Sequence, residues 1–143
     1  MMKHVTGLLL VLALSACQAN EHRAFDMPDR TDDRPFSHGY VAGDTVYVSG
    51  TLGIDPATGE IPVSVEDEVR FAMDTIAARL GQVDLTMADV VQVQVFCPDL
   101  TLYGTFNDVY RTYFDGDYPA RAFVGSGPLL AGARFEICAT AHR

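Results

Sequence analysis

Two charged side chains interrupt apolar, strand-like runs near the C-terminus: Arg121 in Pro119-Ala120-Arg121-Ala122-Phe123-Val124, and Glu136 in Phe135-Glu136-Ile137. Burying either without a partner is costly, so such a pair serves a ligand or seals a joint between surfaces. A guanidinium offers two parallel N–H bonds to a carboxylate, which makes a small α-carboxylate ligand a sensible guest for Arg121. A carboxylate nearby can orient a water or pass a proton, the chemistry open to Glu136. Strand alternation sets Arg121 on a face with Phe123 and Gly125, and Glu136 on a face with Cys138 and Thr140, in each case the less hydrophobic face. Residue type alone leaves a second reading equally open, in which Arg121 and Glu136 pair with each other or with backbone in a subunit joint.

Weaker candidates accompany them. Asn107 lies beside the apolar stripe of a helical pattern and can present its amide to a ligand or simply face solvent. In Ser49-Gly50 the hydroxyl can donate and the glycine permits close approach of a ligand to the backbone, although an ordinary strand-end turn reads the same way. No phosphate-binding glycine loop, His-x-x-x-His or Cys-x-x-Cys occurs, and after residue 16 the histidines are His22, His38 and His142. Neither a metal site nor a histidine-based nucleophilic triad is expected.

The elements that would carry these residues follow from periodicity. Runs 38–42 and 45–49 flank Gly43-Asp44 and predict an opening hairpin. Ser64 caps a helix whose Val65, Val69, Ala72, Ile76 and Leu80 share one face, with Gly81 as its stop. Val91, Val93 and Val95 alternate with Gln92 and Gln94 as a half-packed strand does. A second helix starts at Thr101 with the stripe Leu102, Phe106, Val109 and Tyr113, and strands over 121–125 and 134–141 complete the chain. The order β-β-α-β-α-β-β predicts an α+β domain, one sheet with both helices on one face.

A chain of 143 residues with 48% hydrophobic content makes one domain with a core. The formal charge of −9 and a lone lysine, Lys3, argue against a nucleic-acid partner or direct binding to an anionic membrane. At the N-terminus, Lys3 and His4 precede an apolar run over 5–14 that is too short to span a bilayer, the pattern of an export signal. The run closes on Leu14-Ser15-Ala16-Cys17, which resembles the lipobox of bacterial lipoproteins. That resemblance implies a signal peptide over 1–16, a lipid on Cys17 as the only membrane attachment, and a place in the cell envelope or periplasm; an ordinary secretory signal is the alternative. Residues 17–34, rich in aspartate, read as a flexible tether, with the folded domain over 35–143. An oxidising compartment would permit a Cys97–Cys138 disulfide, though two buried thiols fit equally.

Residues 35–143 resemble the RidA (YjgF) family. The resemblance rests on Pro35-Phe36-Ser37-His38-Gly39, on Val48-Ser49-Gly50-Thr51-Leu52-Gly53-Ile54-Asp55-Pro56 with Thr58-Gly59-Glu60, and on Phe106-Asn107-Asp108-Val109-Tyr110, Pro119-Ala120-Arg121 and Phe135-Glu136-Ile137. It implies a chorismate-mutase-like fold, a homotrimer with ligand pockets between neighbours, and cofactor-free hydrolysis of reactive enamines and imines such as 2-aminoacrylate and 2-iminopropionate to 2-oxo acids and ammonia. It further implies that Arg121 clamps the substrate carboxylate, that Glu136 handles the water or proton, and that Ser49, Gly50, Asn107, Phe36 and Phe123 line the pocket. Three positions depart from the family pattern: Phe36 replaces a tyrosine, Phe123 a cysteine or serine, and Thr51 a glutamine. A non-catalytic trimer that binds small carboxylates or proteins at the cell envelope is the competing reading.

Overall fold

The computed structural model describes residues 21–143, so the apolar run over 5–14 and Cys17 lie outside the described residues. The elements are β1 (His22–Phe25), β2 (Gly39–Ala42), β3 (Thr45–Leu52), α1 (Val65–Gly81), β4 (Val90–Cys97), α2 (Tyr103–Tyr110), β5 (Ala120–Gly125) and β6 (Glu136–His142). They form one mixed α+β unit with a six-stranded sheet in the order β1-β2-β3-β6-β4-β5. All neighbours run antiparallel except β4 and β5, which α2 connects as a parallel pair.

The chain reaches this arrangement through local signals. Gly43, at φ 61°, closes the β2–β3 hairpin. The Ser64 side chain accepts from the Asp67 backbone N–H and starts α1. Gly81 is the last residue of that helix, while the left-handed turn beyond it falls on Asp84, φ 59°. The expected second helix is split: a short 3-10 turn at Leu100–Leu102 leads into α2, and another at Arg111–Tyr113 follows it.

Two expectations change. Residues 21–34 are built into the domain instead of forming a tether. His22–Phe25 pairs antiparallel with β2, and Phe25 is buried in the core. Arg30 then ties the following loop together by bonding Asp26, Asp32 and the carbonyls of Arg34 and Phe36. The aspartates that suggested disorder are its ion-pair partners. Cys97 and Cys138 are both free. Cys97 lies in the core on the helix side, whereas Cys138 sits opposite Gln94 on the other face, so the sheet separates them.

Both helices cover one face of the sheet. Val69, Ala72, Met73, Ile76 and Leu80 of α1 and Phe106, Val109 and Tyr110 of α2 pack there against Val46, Val48, Val93, Val95, Ile137 and Ala139. The opposite face has no second layer. Tyr40, Tyr47, Val91 and Val124 are exposed on it, in rows with Thr140, Cys138, Gln92 and Gln94.

Candidate functional site

Arg121 stands on the edge strand β5 opposite Val93, a core residue, so its side chain leaves on the helix-covered face with Phe123. There α2 holds it. Nη2 donates to Asn107 Oδ1 at 2.7 Å and, more weakly, to the Tyr103 hydroxyl at 3.4 Å. The guanidinium carbon lies 4.5 Å from the Tyr110 ring centre and 5.9 Å from that of Phe123, a cation on aromatic faces. Phe123 in turn meets Tyr103 and Phe106 edge to face at 5.0 and 5.1 Å. It supports the platform beneath the guanidinium, which a cysteine or serine could not do.

No carboxylate pairs with Arg121 among the described residues. It opens instead onto a cavity of about 430 Å³ lined by Asn107, Tyr110, Arg111, Tyr118, Pro119 and Arg121. Burial pushes the Tyr110 phenol up to about 12, and its hydroxyl finds no hydrogen-bond partner among the described residues. The Tyr103 phenol is drawn below its ordinary value, first by the Asn107 side chain and then by the Arg121 charge. Asn107 was expected to face a ligand with its amide; its oxygen is spent on orienting Arg121.

Glu136 opens β6 opposite Phe96 and Leu52 and is half-buried on the helix-free face. The sheet bulges between Val48 and Thr51, and Gly50 lies directly against the Glu136 carboxylate: a Cβ at residue 50 would stand 2.1 Å from Oε1. The absence of a side chain at Gly50 is what gives Glu136 its place. Glu68, fully buried in α1, accepts from the backbone N–H groups of Arg134 at 2.7 Å and Phe135 at 3.1 Å and pairs with the Arg134 guanidinium. It fixes the entry to β6 one residue before Glu136.

The Ser49 hydroxyl is not free for a ligand, because it donates to the Ser37 carbonyl at 2.6 Å and ties the bulge to the opening segment. Phe36 ends that segment half-exposed, with the Arg30 and Arg34 guanidinium carbons each 5.3 Å from its ring centre. Behind the bulge lies Arg79, 8% exposed, which donates to Thr51 Oγ1 at 2.7 Å and to the Ser49 carbonyl at 3.3 Å. Burial lowers its guanidinium to about 10. The same desolvation, followed by the Arg79 charge, lowers His38, whose Nδ1 accepts from the Met27 N–H at 3.0 Å.

The predicted residues therefore fall into two groups. Arg121, Asn107 and Phe123 belong to the helix side of β5; Glu136 and Gly50 meet at the start of β6, and Ser49 ties that bulge to the segment that carries Phe36. Along β4, Val93 pairs with Arg121 and Phe96 with Glu136. Three positions is an odd number, so the two side chains point to opposite faces, with Cα atoms about 14 Å apart by strand spacing and rise. The two charges do not share a face, contrary to the impression left by the alternation within each strand. Glu68 and Arg79 were missed, although each carried a signal: a charge inside the apolar face of α1. No cluster able to hold a metal ion occurs among the described residues.

A six-stranded mixed sheet backed by two helices, with an arginine and a glutamate on opposite faces, defines the class, and comparison with known proteins places the chain within it. The family model described as Endoribonuclease L-PSP matches residues 30–143. The chain belongs to this family, that of RidA and YjgF. It is 37% identical over 108 residues to the 2-iminobutanoate/2-iminopropanoate deaminase of Bos taurus, covering 75% of this chain and 79% of that protein. Among solved structures it is similar to E. coli TdcF with bound serine, at TM-score 0.74 and 32% identity over 85% of this chain and 94% of that one. It is also similar to the E. coli YjgF gene product, at TM-score 0.78 and 28% identity over 85% and 98%.

Proposed function

We propose that the chain is a hydrolytic deaminase of reactive 2-imino acids and their enamine tautomers, releasing 2-oxo acids and ammonia. The observation that carries this reading is the Arg121 guanidinium, unpaired among the described residues and fixed by Asn107 on the wall of a cavity. It receives the substrate carboxylate. Glu136 takes a proton from water as the water adds to the imine carbon and returns it to nitrogen, giving the carbinolamine; it then takes the hydroxyl proton and passes it to nitrogen as the C–N bond breaks, leaving oxo acid and ammonia. An imine is already electrophilic, so positioning and modest proton transfer suffice. The deaminase name of the bovine relative supports the same chemistry.

Because the two residues leave opposite faces of one sheet, the site is completed by a second copy, whose Glu136 meets this chain's Arg121. The helix-free face, with Tyr40, Tyr47, Val91 and Val124 exposed, supports its burial in a homotrimer with sites between neighbours. The lipobox-like Leu14-Ser15-Ala16-Cys17 supports a lipid on Cys17 and residence in the cell envelope; mass spectrometry of the full chain would detect the acyl groups. Charge of −9 speaks against RNA as the substrate despite the family's description.

Purified protein should accelerate oxo-acid release from 2-imino acids generated in situ, and Arg121→Ala should remove that activity. Unchanged turnover in the variant would reject the assigned site. The competing reading, a trimer that only binds carboxylates, draws on Phe36, which brings no hydroxyl to the pocket; it predicts that 2-oxo acids raise the Tm without turnover.

A further inference from the structure

We infer that the ligand of this site carries a second anionic group, received by Arg111, so that the favoured substrates are imines of four- or five-carbon dicarboxylic acids. The inference rests on the proposed role of Arg121 as the carboxylate clamp.

Two guanidinium groups line one cavity, and both are anchored on the same residue. Asn107 Oδ1 accepts from Arg121 Nη2 at 2.7 Å, and the Asn107 backbone carbonyl accepts from Arg111 Nε at 3.0 Å. Being tied to two atoms of one asparagine, the two cations lie within the length of a small molecule. The Nε anchor spends one edge of Arg111 and leaves Nη1, together with an Nη2 held only by a loose, exposed ion pair with Asp108.

Nothing on the cavity wall neutralises this pair: the lining is Asn107, Tyr110, Arg111, Tyr118, Pro119 and Arg121, without a carboxylate. The nearest acid to Arg111 is Asp108 at 3.6 Å, beyond hydrogen-bond reach, with both side chains well exposed. Such a pair contributes little and yields readily to a better partner. Two cations lining one cavity favour an anion placed between them.

Shape points the same way. The volume of about 430 Å³ lies in the range of sites for whole small molecules and leaves room beyond a three-carbon acid. The rest of the lining, Tyr110, Tyr118 and Pro119, is largely ring and methylene surface, suited to the one or two methylenes that separate the carboxylates of such a dicarboxylate.

The stable product-type acids provide the probe. Calorimetric titration of the full chain should give a Kd for 2-oxoglutarate at least about tenfold below that for 2-oxobutanoate, and the ratio should shrink as salt is raised to 0.5 M. Arg111→Gln should bring the ratio close to one, and Arg111→Lys, which keeps the charge but not the fork, should restore part of it. Equal affinities in the unmodified protein, or a preference that survives Arg111→Gln, would overturn the inference alone if 2-oxobutanoate still binds in an Arg121-dependent way. Failure of both acids to bind, or binding insensitive to Arg121→Gln, would overturn the carboxylate clamp together with it.

Discussion

Arg121 and Glu136 leave the sheet on opposite faces, three positions apart along the strand β4 that lies between theirs. A small acid held by Arg121 in one chain is out of reach of the same chain's Glu136, which is why the proposed site takes its glutamate from a second copy. On that proposal each copy contributes a carboxylate clamp on its helix side and a proton-handling acid on its open face.

The seat of Glu136 depends on a missing side chain. Gly50→Ala would set a methyl group 2.1 Å from Oε1, the far end of a side chain that can rotate away. The variant should fold with a Tm close to the parent while kcat falls about 10- to 100-fold through misplacement of the acid. Gly53→Ala is the contrasting case, because its Cβ would meet the backbone oxygen of Glu68 at 1.8 Å. Backbone cannot step aside, so that variant should lose about 1–3 kcal/mol or more in urea unfolding.

Glu68 is a buried acid with three donors. Glu68→Ala removes the acceptor for the Arg134 and Phe135 N–H groups and leaves the Arg134 side chain without its carboxylate. A loss of about 3–5 kcal/mol is expected, read by chemical denaturation, with any surviving activity reduced because the start of β6 is released.

His38 makes stability depend on pH. Burial and the Arg79, Arg30 charges favour its neutral form against the opposing pull of Asp26 and Asp32, so its folded value lies below the ordinary 6.5. The unfolded chain then binds the proton more readily. Stability from this group is fully present above about pH 6.5 and is lost as pH falls through the lowered folded value, where protonation also removes the acceptor for the Met27 N–H. Unfolding curves between pH 7.5 and 5.5 should show this loss, and His38→Asn, which keeps an acceptor without a titrating ring, should show a shallower slope. Equal slopes would exclude His38 as the source.

Much of this was legible in the residues. Strand and helix periodicity identified the helix-covered face through Val93, Val95 and the stripe of α1, because burial on one face imposes that pattern directly; Val91 departs from it, since the irregularity after Val90 puts Val90 in the core and leaves Val91 on the open face. The motif blocks singled out Arg121, Glu136, Asn107 and Gly50. Strand pairing was not legible. The register of β5 and β6 against β4 decides which face each charge takes, and it arises from contacts far apart in sequence. Nor was the ordering of residues 21–34: their aspartates read as solvation signals until Arg30 and the edge of β2 supplied partners. Arg79 and Glu68 were concealed for a related reason, since a charge on a helix's apolar face has meaning only once the strand behind it is known.

The most direct test of the account mixes two defective chains. Arg121→Ala and Glu136→Gln should each be inactive alone. Co-assembled at equal amounts, they should regain about a quarter of wild-type imine hydrolysis, the fraction of interfaces in which an intact arginine meets an intact glutamate from its neighbour in a cyclic assembly. Activity that stays at the level of the separate variants, in assemblies shown to contain both chains, would contradict a site shared between copies.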